Sequence, residues 1–161
     1  MEENRQTASG EQLLTFFLQG DEYGVDILRV QEIREWSTPM PIPNTPPYIK
    51  GVINIRGDIV PIADLRERLG LARAEVGSTS AVVVLRVTRS GRQCVMGIVV
   101  DAMSDVTTVP HDQIKRPPEF GDTSEASLAR GIATLPDKMI TILEVDLIFG
   151  SQPGVEVAAA A

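Results

Sequence analysis

Apolar positions along the chain come in short bursts, not at helical spacing. Leu13-Leu-Thr-Phe-Phe-Leu18 is one burst, Gly20-Asp21 is a turn, and Glu22-Tyr-Gly-Val-Asp-Ile27 returns. That is a hairpin pattern. Val30, Ile33 and Trp36 carry the apolar pattern on to Pro39. Five prolines then fall within 39–47: Pro39, Pro41, Pro43, Pro46 and Pro47. Proline lacks the ladder donor, so this stretch reads as an extended connection, with a helical turn near Pro47-Tyr48-Ile49. Gly51-Val-Ile-Asn-Ile55 and Asp58-Ile-Val-Pro-Ile62 form a second hairpin, turned at Arg56-Gly57. Asp64 is placed to cap a short helix, Leu65 to Leu69, which Gly70 ends. The small polar residues of 72–79 read as a linker. Strands Ser80 to Val87 and Gln93 to Val100 follow, with their turn at Thr88 to Arg92. A charged, proline-bearing excursion occupies 110–127. Gly131 to Leu135 and Lys138 to Leu143 close the set, and Val145 to Phe149 is a brief helix. The tails, 1–10 and 151–161, read as flexible. The pattern is all-β with short helices.

The chain also repeats itself. Residues Gly51 to Leu65 lie over Gly131 to Val145 without a gap, an offset of 80. Glycine meets glycine, Arg56-Gly57 meets Pro136-Asp137, and Asp64 meets Glu144. Gly24 to Ile33 likewise matches Gly97 to Val106, an offset of 73. Two small β units of similar topology follow from this. A five-stranded unit of ~65 residues has a thin core. Closing each sheet into a barrel and packing the two together solves the burial and edge problems at once. A single sandwich is the competing arrangement.

Composition then narrows the chemistry. The 161 residues hold one histidine, His111, and one cysteine, Cys94, so no disulfide forms within the chain. A cluster of soft metal ligands is out of reach. His111 follows Pro110 in a loop and reads as solvated; Cys94 lies in an apolar strand and reads as packing. No glycine-rich phosphate loop is present, and no cofactor site is indicated. Seven aromatics and a net charge of −7 argue against a nucleic-acid or anionic-membrane surface. No apolar run approaches the roughly 20 residues that span a bilayer, and the polar first residues carry no signal core. The expectation is a soluble, cytoplasmic, non-catalytic protein that works through a protein-binding surface. Arg56 at its hairpin tip is the prominent candidate, since a guanidinium has five donors in a fixed fork. Asp58 and Asp64 are its possible local partners, Asn54 is a polar residue inside an apolar strand, and Glu32 and Arg34 bracket Ile33.

Two long segments carry a family resemblance. Tyr23-Gly-Val-Asp-Ile-Leu-Arg-Val-Gln-Glu-Ile-Arg34 is one, and Ile42 to Arg66, containing Asn54-Ile-Arg-Gly-Asp-Ile-Val-Pro-Ile-Ala-Asp-Leu-Arg66, is the other. Gly97 to Val106 and Arg130 to Leu143 agree. Over about residues 12–149 the chain resembles the CheW family of bacterial chemotaxis coupling proteins. Ala63 departs from the larger aliphatic common there. The resemblance implies two SH3-like five-stranded barrels around a shared core, within a single domain at 11–150. The subdomains are then about 11–77 and 78–143, with possible exchange of terminal segments. It also implies an adaptor that joins the histidine kinase CheA to methyl-accepting receptors in membrane-associated arrays, with no catalysis, cofactor or metal. The same fold also permits a free regulatory module that competes for kinase or receptor without coupling them. Carried over by motif, Val30, Glu32, Arg56 and Gly57 fall on the receptor surface. Gly51 falls by the kinase contact of the first barrel, and Val99 near a weaker kinase contact of the second.

Overall fold

The computed structural model describes residues 10–71, 76–89, 91–116 and 128–149. Residues 72–75 of the linker at 72–79, residues 117–127 of the excursion at 110–127 and nearly all of both tails lie outside the described residues. Strands β1 (Gly10–Leu18), β2 (Asp21–Asp26) and β3 (Val30–Glu35) come first. After the proline-rich connection come β4 (Ile49–Ile55), β5 (Asp58–Asp64) and helix α1 (Leu65–Arg68). Next are β6 (Ala81–Arg89), β7 (Arg92–Val100) and β8 (Ala102–Pro110), then the short β9 (Ile114–Lys115). The chain ends its regular structure with β10 (Ala129–Thr134), β11 (Met139–Leu143) and helix α2 (Val145–Ile148).

These strands make two sheets. One runs β3-β6-β7-β5-β4 and is called here the Gly51 barrel; the other runs β8-β1-β2-β11-β10-β9 and is called the Gly131 barrel. The repeat read from the sequence holds down to the register. Ile49 faces Ala63 and Gly51 faces Ile62 across a bulge; 80 residues on, Ala129 faces Leu143 and Gly131 faces Ile142 across the same bulge. The parallel pairings repeat as well: Ile62 lies beside Gly97, and Ile142 beside Gly24. Asp64 caps α1 by accepting from the Arg66 N–H at 3.0 Å, as its position before a helical run predicts.

Each sheet closes on itself. In the Gly131 barrel, β8 and β9 are opposite edges, joined by the three-residue turn His111–Gln113. In the Gly51 barrel, the chain leaves edge strand β3 and returns at Met40, which bridges Val52 of edge strand β4 through two bonds of 2.9 Å. Gly51 permits that closure. Its φ is +140°, and a Cβ there would stand 2.1 Å from the Met40 carbonyl oxygen. Closure removes the exposed edges that a five-stranded sheet otherwise offers. The fold is all-β, with two SH3-like subdomains.

Three apolar clusters hold it together. Val60, Ile62, Val82, Val84 and Val99 fill the Gly51 barrel. Leu13, Val109, Ala133, Ile140 and Ile142 fill the Gly131 barrel. The largest cluster lies between the two, where Phe16, Leu18 and Val25 meet Leu65, Leu85, Met96 and Ile98. Alternation along β6 explains it. Val83, Leu85 and Val87 point into the shared core, while Val82 and Val84 point into their own barrel.

The sheets do not follow the ranges 11–77 and 78–143. The Gly131 barrel takes β1 and β2 from the first half, and the Gly51 barrel takes β6 and β7 from the second. The physical reason is the parallel pairing. β5 keeps its antiparallel hairpin partner β4 on one side and takes β7 as a parallel partner on the other, which requires the long connection through α1 and β6.

Candidate functional site

The β4–β5 hairpin turns on two residues of positive φ, Arg56 at 51° and Gly57 at 93°. That is the backbone of a primed two-residue turn, whose twist matches that of the flanking strands. Asn54 secures it: its Oδ1 accepts the Gly57 N–H at 2.8 Å. The polar residue inside an apolar strand is therefore the brace of the turn. The left-handed backbone at Arg56 carries its side chain outward, where it stays 66% exposed.

The partner of Arg56 is Glu32 on β3. Nη2 donates to Oε2 at 2.5 Å and Nη1 to Oε1 at 3.4 Å. Arg34 stands 3.7 Å from the same carboxylate. Strands β3 and β4 are the two edges of the Gly51 sheet, so this fork bridges the seam where the barrel closes. Asp64, a possible partner on sequence grounds, is instead turned inward onto Arg66. The Arg56 fork holds the Glu32 carboxyl below the usual range, opposed by partial burial and aided by the charges of Arg56 and Arg34. In an Arg56→Ala chain, the Glu32 carboxyl is expected to titrate at higher pH, visible in its side-chain carbon shift. The sign follows from linkage. A carboxyl depressed in the folded state contributes stability above its unfolded value and loses it as pH falls through the folded value. The substitution therefore removes part of the acid sensitivity of this seam. A Glu32 titration that does not move in the variant refutes the pairing.

Val30 opens β3, half-buried against the shared core, while Ile33 on the same strand is 47% exposed. Ile59 is also exposed and faces Asn54 across the hairpin. Val30, Glu32, Arg56 and Gly57 thus all belong to the Gly51 barrel, with the fork joining two of them directly. Gly51 is buried, so any contact made there is made by its neighbours. Val99 requires a correction. It is 1% exposed, lies inside the Gly51 barrel and not on the other, and offers no side-chain surface to a partner. Cys94 is half-buried on β7, and His111 is exposed in its turn. Sequence reasoning passed over Arg66, the largest fully buried side chain. The available signal was an arginine two residues after a capping aspartate, at the end of an apolar strand.

Among the described residues, no cluster of histidine, cysteine and acids could hold a metal ion, and no helix is long and apolar enough to cross a membrane. Two closed barrels, a shared core and an exposed, braced arginine turn make a scaffold with a presentation surface. A family model described as CheW-like domain matches residues 12–152. A chemotaxis protein CheW of Rhizobium meliloti is 37% identical over 146 residues, covering 91% of this chain and 92% of its own. One from Klebsiella aerogenes is 39% identical over 143 residues, covering 89% and 84%. The crystal structure of the scaffolding protein TtCheW from Thermoanaerobacter tengcongensis matches with a TM-score of 0.80 at 30% identity, over 93% of this chain and 99% of that one. The chain belongs to the CheW-like family. It is a chemotaxis scaffold of that type.

Proposed function

We propose that the chain couples the tips of methyl-accepting chemoreceptors to the regulatory domain of the histidine kinase CheA, in arrays associated with the membrane. It catalyses nothing; it positions. The receptor side is the seam of the Gly51 barrel, with Arg56 and Glu32 fixing polar register, Gly57 allowing close approach and Val30 lining the apolar floor. The kinase side is the surface of the same barrel around the Gly51 bulge. The observation that carries this reading is the exposed Arg56-Gly57 turn, braced by Asn54 and clamped to Glu32. A cationic group held rigidly at the surface loses little freedom when a partner docks. Many such contacts repeated across an array make a stable assembly from weak single ones.

Ternary assembly tests it. The chain, a kinase regulatory-domain fragment and a receptor-tip fragment are mixed and their masses read by analytical ultracentrifugation. A complex containing all three is expected. Displacement of one partner by the other overturns coupling and points to a competing module of the same fold.

A further inference from the structure

The internal repeat supplies a control for one polar cluster. Under the offset of 80, Tyr48 aligns with Leu128, Lys50 with Arg130, Glu67 with Leu147 and Arg68 with Ile148. The backbone is the same at both places. The Tyr48 carbonyl accepts the Asp64 N–H at 2.7 Å, and the Leu128 carbonyl accepts the Glu144 N–H at 2.8 Å. Both strands then take their bulge, at Gly51 and at Gly131.

The side chains differ. Leu128 and Ile148 are buried in the shared core. Their counterparts, Tyr48 and Arg68, are polar and tied to α2. Arg68 Nη2 donates to the Leu147 carbonyl at 3.2 Å, and its Nε donates to the Ile148 carbonyl. The Tyr48 hydroxyl donates to the Phe149 carbonyl at 3.1 Å. The Arg68 guanidinium also lies over the Tyr48 ring, 5.3 Å from its centre. Lys50, one residue past Ile49, pairs with Glu67 of α1, whereas Arg130 in the same place reaches Glu11 on β1.

The last carbonyls of a helix have no partner inside it. Those of α2 are taken by two side chains from the Gly51 barrel and its helix. The fold alone does not ask for this grip. The Gly131 barrel makes the same strand entry, the same bulge and the same following helix with leucine and isoleucine. What the grip adds is position. Tyr48 and Lys50 flank Ile49, where the register shifts toward Gly51, and Met40 closes the barrel there through its two bonds of 2.9 Å to Val52.

We propose that Tyr48 and Arg68 are positioning residues for the kinase contact. Anchored on the α2 carbonyls, they set the entry of β4 and with it the backbone around the Gly51 bulge. That role rests on the kinase side proposed above, and neither residue needs to touch the kinase. A bulge already held in one conformation loses little freedom when a partner docks.

Amide exchange in the full chain, read by NMR, and calorimetry with a kinase regulatory-domain fragment test it. Tyr48→Phe keeps the ring and drops the bond to Phe149. Arg68→Met keeps the apolar stem and drops both carbonyl bonds. The Met40 and Val52 amides report closure at the bulge directly. In each variant they are expected to exchange about fivefold faster, the worth of one hydrogen bond. Amides of the β1–β2 pair in the Gly131 barrel should keep their rates. Affinity for the kinase fragment should fall by about fivefold, through lost preorganisation, while affinity for a receptor-tip fragment stays unchanged. Exchange that rises evenly over both barrels, or not at all, overturns the positioning role. Faster exchange at the bulge with kinase affinity unchanged overturns its link to the kinase. Met40→Asp then shows which step failed, since Met40 is 66% exposed beside the bulge. Loss of kinase binding in that variant upholds the contact and refutes the positioning role alone. Unchanged binding places the failure in the proposed contact itself.

Discussion

Replacing Arg66 by methionine is expected to destabilise the chain by about 3–5 kcal/mol, the largest loss available from a single polar side chain here. The guanidinium is buried and makes three side-chain bonds to two carboxylates. Methionine fills similar volume, so the loss is not mainly a cavity. What remains is Asp64, 4% exposed, without the cation that balances it. Asp64 and Asp101 hold the guanidinium charged, above its already high ordinary value, Asp64 through its hydrogen bonds first. For a chain of this size the midpoint of thermal unfolding should fall by roughly 10 °C. Urea unfolding followed by circular dichroism measures it. Adding Asp64→Asn to Arg66→Met should recover part of the loss, because asparagine still caps α1 but carries no charge. A loss below about 1 kcal/mol, or no recovery in the double variant, shows the cluster to be an ordinary surface network.

The local elements were legible because local rules dominate them. The hairpins at Arg56-Gly57 and Pro136-Asp137 follow from turn residues and α1 from the Asp64 cap, while α2 has no side-chain cap at Glu144. The repeat at offset 80 is written into register as well as composition, since the bulge glycines Gly51 and Gly131 occupy equivalent places. Strand β8 was not legible as a strand. Its burial alternates weakly, and Ser104, Asp105 and Thr107 supply no apolar face. Its partner β1, which accepts it along Gly10 to Phe17, makes it a strand. The sequence left room for an exchange of terminal segments between the halves without telling which strands cross, for a similar reason. Hydrophobic pattern marks which face is buried, but not which sheet buries it.

The site divides along the same line. Arg56 was readable as an exposed tip from the turn chemistry alone. Its true partner was not, because Glu32 is 24 residues away and meets it only when the barrel closes. Asp58 and Asp64 were nearer in sequence; Asp58 acts on Arg56 through its charge alone, and Asp64 is taken by the buried Arg66. Val99 failed for a plain cause. Residues in a Val-rich central strand face one core or the other, and β7 has both faces buried.

Reversing the charge at the hairpin tip, Arg56→Glu, should abolish receptor binding while kinase binding and fold persist. The turn tolerates the change, since Asn54 still braces Gly57 and any non-glycine residue at this φ bears a similar strain. Stability should change little, because the arginine is exposed. Function should change much. The new carboxylate faces Glu32, so the fork is replaced by repulsion and the seam presents two negative groups where it presented a balanced pair. A docking receptor that meets an arginine there meets the wrong sign, and like charges in contact discriminate strongly between partners. Affinity for a receptor-tip fragment should fall by more than about tenfold, with the kinase fragment bound as before and the thermal midpoint unchanged. Both affinities are read by isothermal calorimetry. The exchanged pair, Arg56→Glu with Glu32→Arg, separates two causes. If the pair merely holds the seam together, exchange restores binding; if the receptor reads the arginine at the tip, binding stays lost. The proposed role requires the second result, and unchanged receptor binding in the single variant would sink it.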